Sequence, residues 1–261
     1  MLFRSVLMER YAEITAMDRS IGNLRNYLGD NNLKDNTILW YCGDNGTPPS
    51  AARTGMTIRS QKGSLYEGGV LVPGVMEWPE GMKEPSTVQA NAVTSDFLPT
   101  FAELVEQPLP DRPIDGISLM PYIMDPERKR EEPIFFWKFE YNKVFEKSAE
   151  PYIDPELQEG TTPLVKMMAG KYTRTFRNYK YTNVSEGDFS GERTVTSDRY
   201  KLVVEGSSPN DNGFELYDLI NDRAEKVNLA DSLPDIVNEM KKELTTWQES
   251  VLHSLTGADY R

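Results

Sequence analysis

The chain has 261 residues, of which 38% are hydrophobic, and this is enough to bury the core of one large domain or two small ones. A formal net charge of −12 argues against nucleic acid as the main partner, because phosphate binding relies on clustered lysine and arginine. The single cysteine, Cys42, and the single histidine, His253, exclude an intramolecular disulfide, a thiolate cage and a histidine-based zinc site or triad within this chain. No membrane span is predicted, since no stretch reaches roughly 18 apolar residues. Residues 1–5 lack the apolar run of a signal peptide, so the compartment is left open.

The first part of the chain is predicted to be an open α/β layer. Apolar residues recur at helical spacing over residues 11–28, and Gly29 and three polar residues after it end this helix. Residues 37–42 form a continuous apolar run, typical of a strand buried on both faces of a parallel sheet. A second strand is predicted over 69–78, and a second amphipathic helix over 95–106.

A different pattern follows the second helix. Prolines crowd into residues 108–126 and predict a boundary there, with one domain over 1–126 and another over 127–261. Short apolar runs separated by turns then favour a small antiparallel sheet. These runs are 134–137, 194–196, 200–204 and 214–217. Apolar residues along one side of 233–255 predict a terminal helix, which completes this C-terminal subdomain.

Asp44 and Asn45 stand directly after the first predicted strand, followed by Gly46. In open α/β sheets, ligands bind in the crevice at the carboxyl ends of the strands. A carboxylate beside an amide carbonyl supplies two hard oxygen ligands, which suit calcium or magnesium. The alternative is that these three residues form only a turn.

The segment from Arg59 to Gly69 places two cations, a carboxylate and three glycines in one loop. Glycines allow the backbone to approach a ligand closely, and Lys62 would act as a point charge for an anion. The alternative interpretation is a surface loop with solvated charges.

Several short motifs occur in a fixed order along the chain. They are Asp44-Asn45-Gly46, Lys62-Gly63, Tyr66-Glu67-Gly68-Gly69, Val72-Pro73-Gly74, Trp78-Pro79, Ser95-Asp96-Phe97-Leu98-Pro99-Thr100, Ser197-Asp198-Arg199-Tyr200-Lys201-Leu202 and Glu215-Leu216-Tyr217-Asp218-Leu219. This order resembles the sulfatase family of the alkaline phosphatase superfamily, over roughly residues 9–126 and 192–250. The resemblance implies a partial sulfatase-type α/β/α sheet, followed by the small antiparallel subdomain and its terminal helix.

The resemblance also implies roles for individual residues. Asp44 and Asn45 would be ligands of a divalent cation, usually calcium in this family. Lys62 would be the catalytic residue that contacts the sulfate, with Arg59 as a second substrate-binding cation. A cation and a lysine that withdraw charge from sulfate oxygens stabilise the charge that develops during S–O cleavage. Glu67 would order the loop without taking part in catalysis.

One family feature is not matched. The family nucleophile is a formylglycine made from Cys or Ser in a Cys/Ser-x-Pro-x-Arg motif, but Cys42 precedes Gly43, Asp44 and Asn45. Cys42 is therefore predicted to be a buried strand cysteine. The chain is interpreted as the C-terminal portion of a sulfatase without the N-terminal half that carries the nucleophile, and it is expected to be inactive alone.

Residues 160–182 are basic and aromatic in an otherwise acidic chain. Such a segment can bind sulfated sugars or single-stranded nucleic acid by charge and stacking, and the alternative is an ordinary exposed strand or loop. The expected ligand of the whole chain is a sulfate-ester small molecule or a sulfated carbohydrate. Two other functions are left open: a phosphodiesterase or phosphonate hydrolase of the same superfamily, and a non-catalytic fragment or anionic-glycan-binding module.

Overall fold

The structure is a computed structural model that describes residues 2–48, 58–139, 167–168, 171–172, 184–206 and 213–260. Its helices are α1 (Leu2–Asp30), α2 (Glu67–Val70), α3 (Phe97–Leu104), α4 (Met120–Met124) and α5 (Pro234–Leu255), with short 3₁₀ turns at Thr94–Asp96, Glu186–Phe189 and Ala258–Tyr260. Its strands are β1 (Leu39–Cys42), β2 (Gly74–Glu77), β3 (Ile134–Trp137), β4 (Met167–Met168), β5 (Lys171–Tyr172), β6 (Arg193–Thr196), β7 (Tyr200–Val204) and β8 (Phe214–Asp218). The architecture is mixed α/β, with antiparallel sheets and a terminal helix, as the sequence predicted.

Helix α1 confirms the first predicted helix, but its apolar stripe is largely uncovered. Tyr11, Ile14 and Leu24 are 64%, 53% and 44% exposed. The helix is tied to β2 by Arg25, whose guanidinium lies 2.6 Å from the carboxylate of Glu77. No helix among the described residues is both long and apolar enough to cross a membrane.

The strand that leads to Asp44 does not have the predicted surroundings. β1 pairs with β2 in antiparallel register, and all four of its residues, including Cys42, are only half-buried. The predictions of a parallel strand buried on both faces and of a buried Cys42 are therefore wrong. The second strand is also shorter than predicted, because Gly69 and Val70 donate their N–H groups to Tyr66 and form α2.

Asp96 fixes the position of α3, which confirms the second predicted helix. Its carboxylate is fully buried and accepts hydrogen bonds from Val93 N and Ile117 N, each at 2.9 Å. Arg130 donates to both oxygens of the same carboxylate, at 2.7 and 3.0 Å. The next residue, Phe97, packs against Trp40 with ring centroids 4.3 Å apart. Helix α3 is therefore held against β1.

The C-terminal sheet has the order β3-β6-β7-β8 and is antiparallel throughout, as predicted. Side chains alternate between its two faces. Val195, Leu202 and Leu216 point to α5 and form the larger core cluster. Val203 and Tyr217 point to the opposite face, where they form a second cluster with Tyr66 and Leu219. The sheet is thus covered by α5 on one side and by the loop around Tyr66 on the other.

The predicted boundary after residue 126 is crossed by specific contacts. Trp247 of α5 donates from Nε1 to Asp115 at 2.9 Å, and the buried pair of Arg130 with Asp96 spans the same junction. The division into 1–126 and 127–261 stays a prediction.

Candidate functional site

The loop after β1 is held in a tight turn against α2. Gly46 donates its N–H to the carbonyl of Gly69 at 2.8 Å. A Cβ atom on Gly46 would lie 1.9 Å from the carbonyl oxygen of Gly68, so only glycine fits at this position. Within the turn, Asp44 is exposed, and Asn45 donates from Nδ2 to Asp44 Oδ1 at 2.6 Å. Within the described parts of the chain, this hydrogen bond leaves the amide oxygen of Asn45 and one carboxylate oxygen of Asp44 available as acceptors.

Lys62 lies beside this turn. Its backbone N–H donates to the carbonyl of Thr47 at 2.8 Å, so Lys62 is bonded to the turn that carries Asp44 and Asn45. The chain enters and leaves Lys62 through Ser60 and Gly63, which have φ values of 68° and 88°. The side chain of Lys62 is exposed. The structure therefore brings the loops of three of the four predicted site residues together.

Arg59, the fourth predicted site residue, already has partners within the chain. Its guanidinium lies 3.7 Å from the centroid of the Tyr66 ring, and Nη1 is 3.2 Å from Glu215 Oε2 and donates to the hydroxyl of Tyr217. Burial and the hydrogen bond to Glu215 raise the pKa of Tyr217 to about 12, so this phenol stays protonated. Arg59 joins the loop to β8; that it also binds substrate stays a prediction.

The Tyr66 hydroxyl meets two carboxylates on the sheet. It lies 2.6 Å from Glu205 Oε1 and also contacts Glu215. Burial, followed by these two hydrogen bonds, raises the pKa of Tyr66. In Glu215, burial alone would raise the carboxyl pKa, but hydrogen bonds from Tyr66 and Tyr217 and the charge of Arg59 lower it overall. Glu215 is therefore ionised beside the guanidinium at neutral pH.

Glu67 forms a buried ionic group with two residues that the sequence did not single out. The ammonium of Lys201, on β7, is fully buried and donates to Glu67 Oε1 at 3.0 Å. Its Nζ also lies 3.0 Å from Glu225 Oε1, in charge contact rather than in an aligned hydrogen bond. Glu225 Oε2 in turn accepts the backbone N–H of Glu67 at 2.8 Å. The signal in the sequence is a lysine within an apolar strand, since such a lysine needs a buried anion.

The residues fit a hard divalent cation in chemistry but not in number. Asp44 and Asn45 supply oxygen donors, whereas calcium takes 6–8 of them. No group of three or more His, Cys, Asp or Glu residues that could hold a metal occurs in the described parts of the chain. The basic and aromatic segment 160–182 lies outside the described residues, apart from the backbone of β4 and β5.

Comparisons with known proteins agree on one family. The family model Sulfatase matches residues 4–107. Human arylsulfatase A is 33% identical over 124 residues, which are 46% of this chain and 24% of that protein. The uncharacterized sulfatase YdeN of Escherichia coli K12 is 26% identical over 238 residues, or 88% of this chain and 39% of that protein. The chain thus spans about a quarter to two fifths of the length of these relatives.

Solved structures share the fold over most of the chain. The crystal structure of Ps i-CgsB covers 90% of this chain with a TM-score of 0.60 at 21% identity, and this chain covers 41% of it. A second structure, of BT4656 in complex with its substrate D-glucosamine-2-N,6-O-disulfate, covers 91% of this chain with a TM-score of 0.58 at 22% identity, and this chain covers 39% of it. At such identities the likeness concerns the fold alone.

Proposed function

The chain belongs to the sulfatase family, and from this membership we propose that it carries part of the cation and sulfate site of a sulfuric ester hydrolase. In this proposal Asp44 and Asn45 bind a divalent cation, calcium in the first instance. Lys62 binds the sulfate group of the substrate. The substrate class is a sulfate ester, either a small molecule or a sulfated carbohydrate.

One observation carries the proposal. The backbone bonds from Gly46 to Gly69 and from Lys62 to Thr47, both 2.8 Å, hold the Asp44–Asn45 turn and the Lys62 loop side by side. The exposure of Asp44 and Lys62 leaves both charges accessible to a ligand. A carboxylate–amide pair that faces solvent next to a lysine suits an anion whose oxygens contact a cation and an ammonium together.

Each residue has a defined task in this site. The carboxylate oxygen of Asp44 and the amide oxygen of Asn45 would hold the cation, which when bound withdraws charge from the sulfate oxygens. Lys62 donates hydrogen bonds to a non-bridging oxygen and neutralises the charge that develops as the S–O bond breaks. Arg59 adds positive potential nearby, although its side chain is hydrogen-bonded to Tyr217 and Glu215 of β8.

The nucleophile is not assigned to a residue of this chain. Cys42 is followed by Gly43, Asp44 and Asn45, and so it does not fit the formylglycine motif. We therefore propose no turnover of an aryl sulfate by the 261-residue chain alone. A sulfated carbohydrate is one of the two proposed ligand classes because the structure of a protein of similar fold is a complex with a disulfated glucosamine.

The proposal is tested by titrating the purified chain with sodium sulfate at saturating and at zero calcium, while following the backbone amide signals by NMR. Calcium-dependent shifts are expected at Asn45, Lys62 and Gly63, and they should be lost in K62Q and D44N. Lys83 offers a matched control, since it is exposed and its ammonium contacts the carbonyl of Pro79, so K83Q should leave the shifts intact. Equal shifts in K62Q and wild type would contradict the proposal, and a preference for phosphate over sulfate would favour phosphate esters.

A further inference from the structure

We infer that Lys201, on the C-terminal sheet, is a positioning residue for the cation and sulfate loops. That these loops bind a cation and sulfate rests on the proposed function, whereas the contact between Lys201 and Glu67 does not depend on it. Lys201 lies on the face of β7 that is opposite to α5, on the same side as Val203 and Tyr217. Its side chain reaches out of the sheet into the base of the loop that contains Lys62.

The buried ammonium of Lys201 is held by charge interactions. Lys201 is 0% exposed, and an unpaired ammonium at such a position would be strongly unfavourable. Its hydrogen bond goes to Glu67, on the loop, while Glu225 supplies a second negative charge at 3.0 Å. Arg223 lies 3.6 Å from the other oxygen of Glu67, so two cations balance two anions. Hydrogen bonds between charged groups are stronger than those between neutral groups, so the bond from Lys201 fixes Glu67 on the sheet.

Glu225 contacts the loop through both its side chain and its backbone. The backbone of this residue has a φ of 53°, in the left-handed region that residues other than glycine rarely adopt. In it, the carboxylate accepts the N–H of Glu67 at 2.8 Å, and the backbone carbonyl lies 3.5 Å from Nη1 of Arg59. Glu225 therefore contacts both ends of the loop 59–67. The ammonium of Lys201 neutralises the Glu225 carboxylate, which is the group that accepts the N–H of Glu67.

Gly68 connects Glu67 to the proposed site. Glu67 is followed by Gly68, whose N–H donates to Arg59 O at 2.8 Å and whose missing Cβ leaves room for the carbonyl of Ser60. On its other side, the Gly68 carbonyl lies against Gly46, next to Asp44 and Asn45. With this close packing, a displacement of Glu67 moves the anion loop and the cation turn together. The subdomain thus sets the spacing between the two proposed binding elements.

Amide hydrogen exchange on the full chain tests this arrangement without any ligand. The reporters are the N–H groups of Gly46 and Lys62, which join the two loops, and that of Gly68, which closes the loop on Arg59. In K201M we expect their exchange to rise on the order of tenfold or more, since a hydrogen bond to a charged group is lost. The amides of β6 should change less. V195A is the matched control: Val195 is equally buried but faces α5, so its truncation should raise exchange in the sheet without singling out the loop amides.

A second variant covers the case in which K201M does not fold. E67Q keeps Lys201 paired with Glu225 but removes the charge on the loop, so we expect a smaller, still selective rise at the same three amides. Sulfate titration in calcium is then repeated on the folded variant. A selective rise in exchange at the three loop amides, together with weaker sulfate binding, supports both the positioning role of Lys201 and the proposed function. The same selective rise in exchange, when the wild-type chain also binds no sulfate, supports the positioning role and contradicts the proposed function. Exchange at Gly46, Lys62 and Gly68 that rises no more than in β6 overturns the positioning role, whatever the titration shows.

Discussion

Replacing Asp96 by asparagine should lower the free energy of unfolding by about 3 kcal/mol, because it breaks a buried ion pair and leaves one charge uncompensated. Asp96 and Arg130 have side-chain exposures of 0% and 3%, and two hydrogen bonds of 2.7 and 3.0 Å join them. An asparagine keeps the shape and can still accept the N–H of Val93 or Ile117. It cannot neutralise the guanidinium, and this difference accounts for most of the expected loss.

Urea denaturation followed by fluorescence measures the effect. A loss of about 3 kcal/mol corresponds to a midpoint lower by roughly 1–3 M urea. The control is K129A, because the Lys129–Asp198 pair spans 3.6 Å with side-chain exposures of 78% and 32%. Such exposed pairs contribute about 0–1 kcal/mol. The double variant D96N/R130M should recover part of the loss, since it removes the unpaired charge.

A loss below about 1 kcal/mol in D96N, or one no larger than in K129A, would refute this reasoning. It would mean that Arg130 is solvated or finds another acceptor, and that α3 is not fixed by this pair. Because α3 packs on Trp40 of β1, D96N should also weaken the ordering of the turn that follows β1.

Three further predictions concern other parts of the chain. Hydrogen bonds from Arg199 and Asn221 hold the pKa of Asp218 far below its ordinary value. The stabilisation from this carboxylate is therefore present above about pH 4 and is lost as the pH falls through the folded-state pKa, and an acid denaturation curve of D218N should lack this pH-dependent loss of stability. G46A should lose about 1–3 kcal/mol by overpacking against Gly68, whereas G22A, in α1 with nothing within 4 Å, should be neutral or stabilising in the same urea assay. The exposed apolar stripe of α1 should bind a hydrophobic dye, and replacing Tyr11 and Ile14 by lysine should reduce the fluorescence; an unchanged signal would place the dye elsewhere.

Much of the fold could be predicted because it depends on local periodicity. Helices α1 and α5 and the strands β6 to β8 follow apolar spacings and turn residues that act over a few positions. The surroundings of β1 could not be predicted in this way. A run such as Leu39–Cys42 has the same appearance in a buried parallel sheet and in a half-buried antiparallel pair, and only the position of β2 decides between them.

The residues of the proposed site also differ in how far the sequence could identify them. Asp44, Asn45 and Lys62 were identified because they occur in short motifs of the sequence. The partners of Glu67 were not, since Lys201 and Glu225 lie 134 and 158 residues away along the chain. A contact of this kind is created by the tertiary fold, and the local hint is a lysine between Tyr200 and Leu202 in a strand that is otherwise apolar.

A paramagnetic probe tests most directly whether the two loops form one cation and anion site. Mn²⁺ added to the purified chain broadens the NMR signals of nuclei close to the bound ion. Binding at Asp44 and Asn45 predicts that the amides of Asn45, Thr47 and Lys62 broaden first, and that D44N removes this selectivity. Broadening that spares Lys62, or that persists unchanged in D44N, would contradict a shared site.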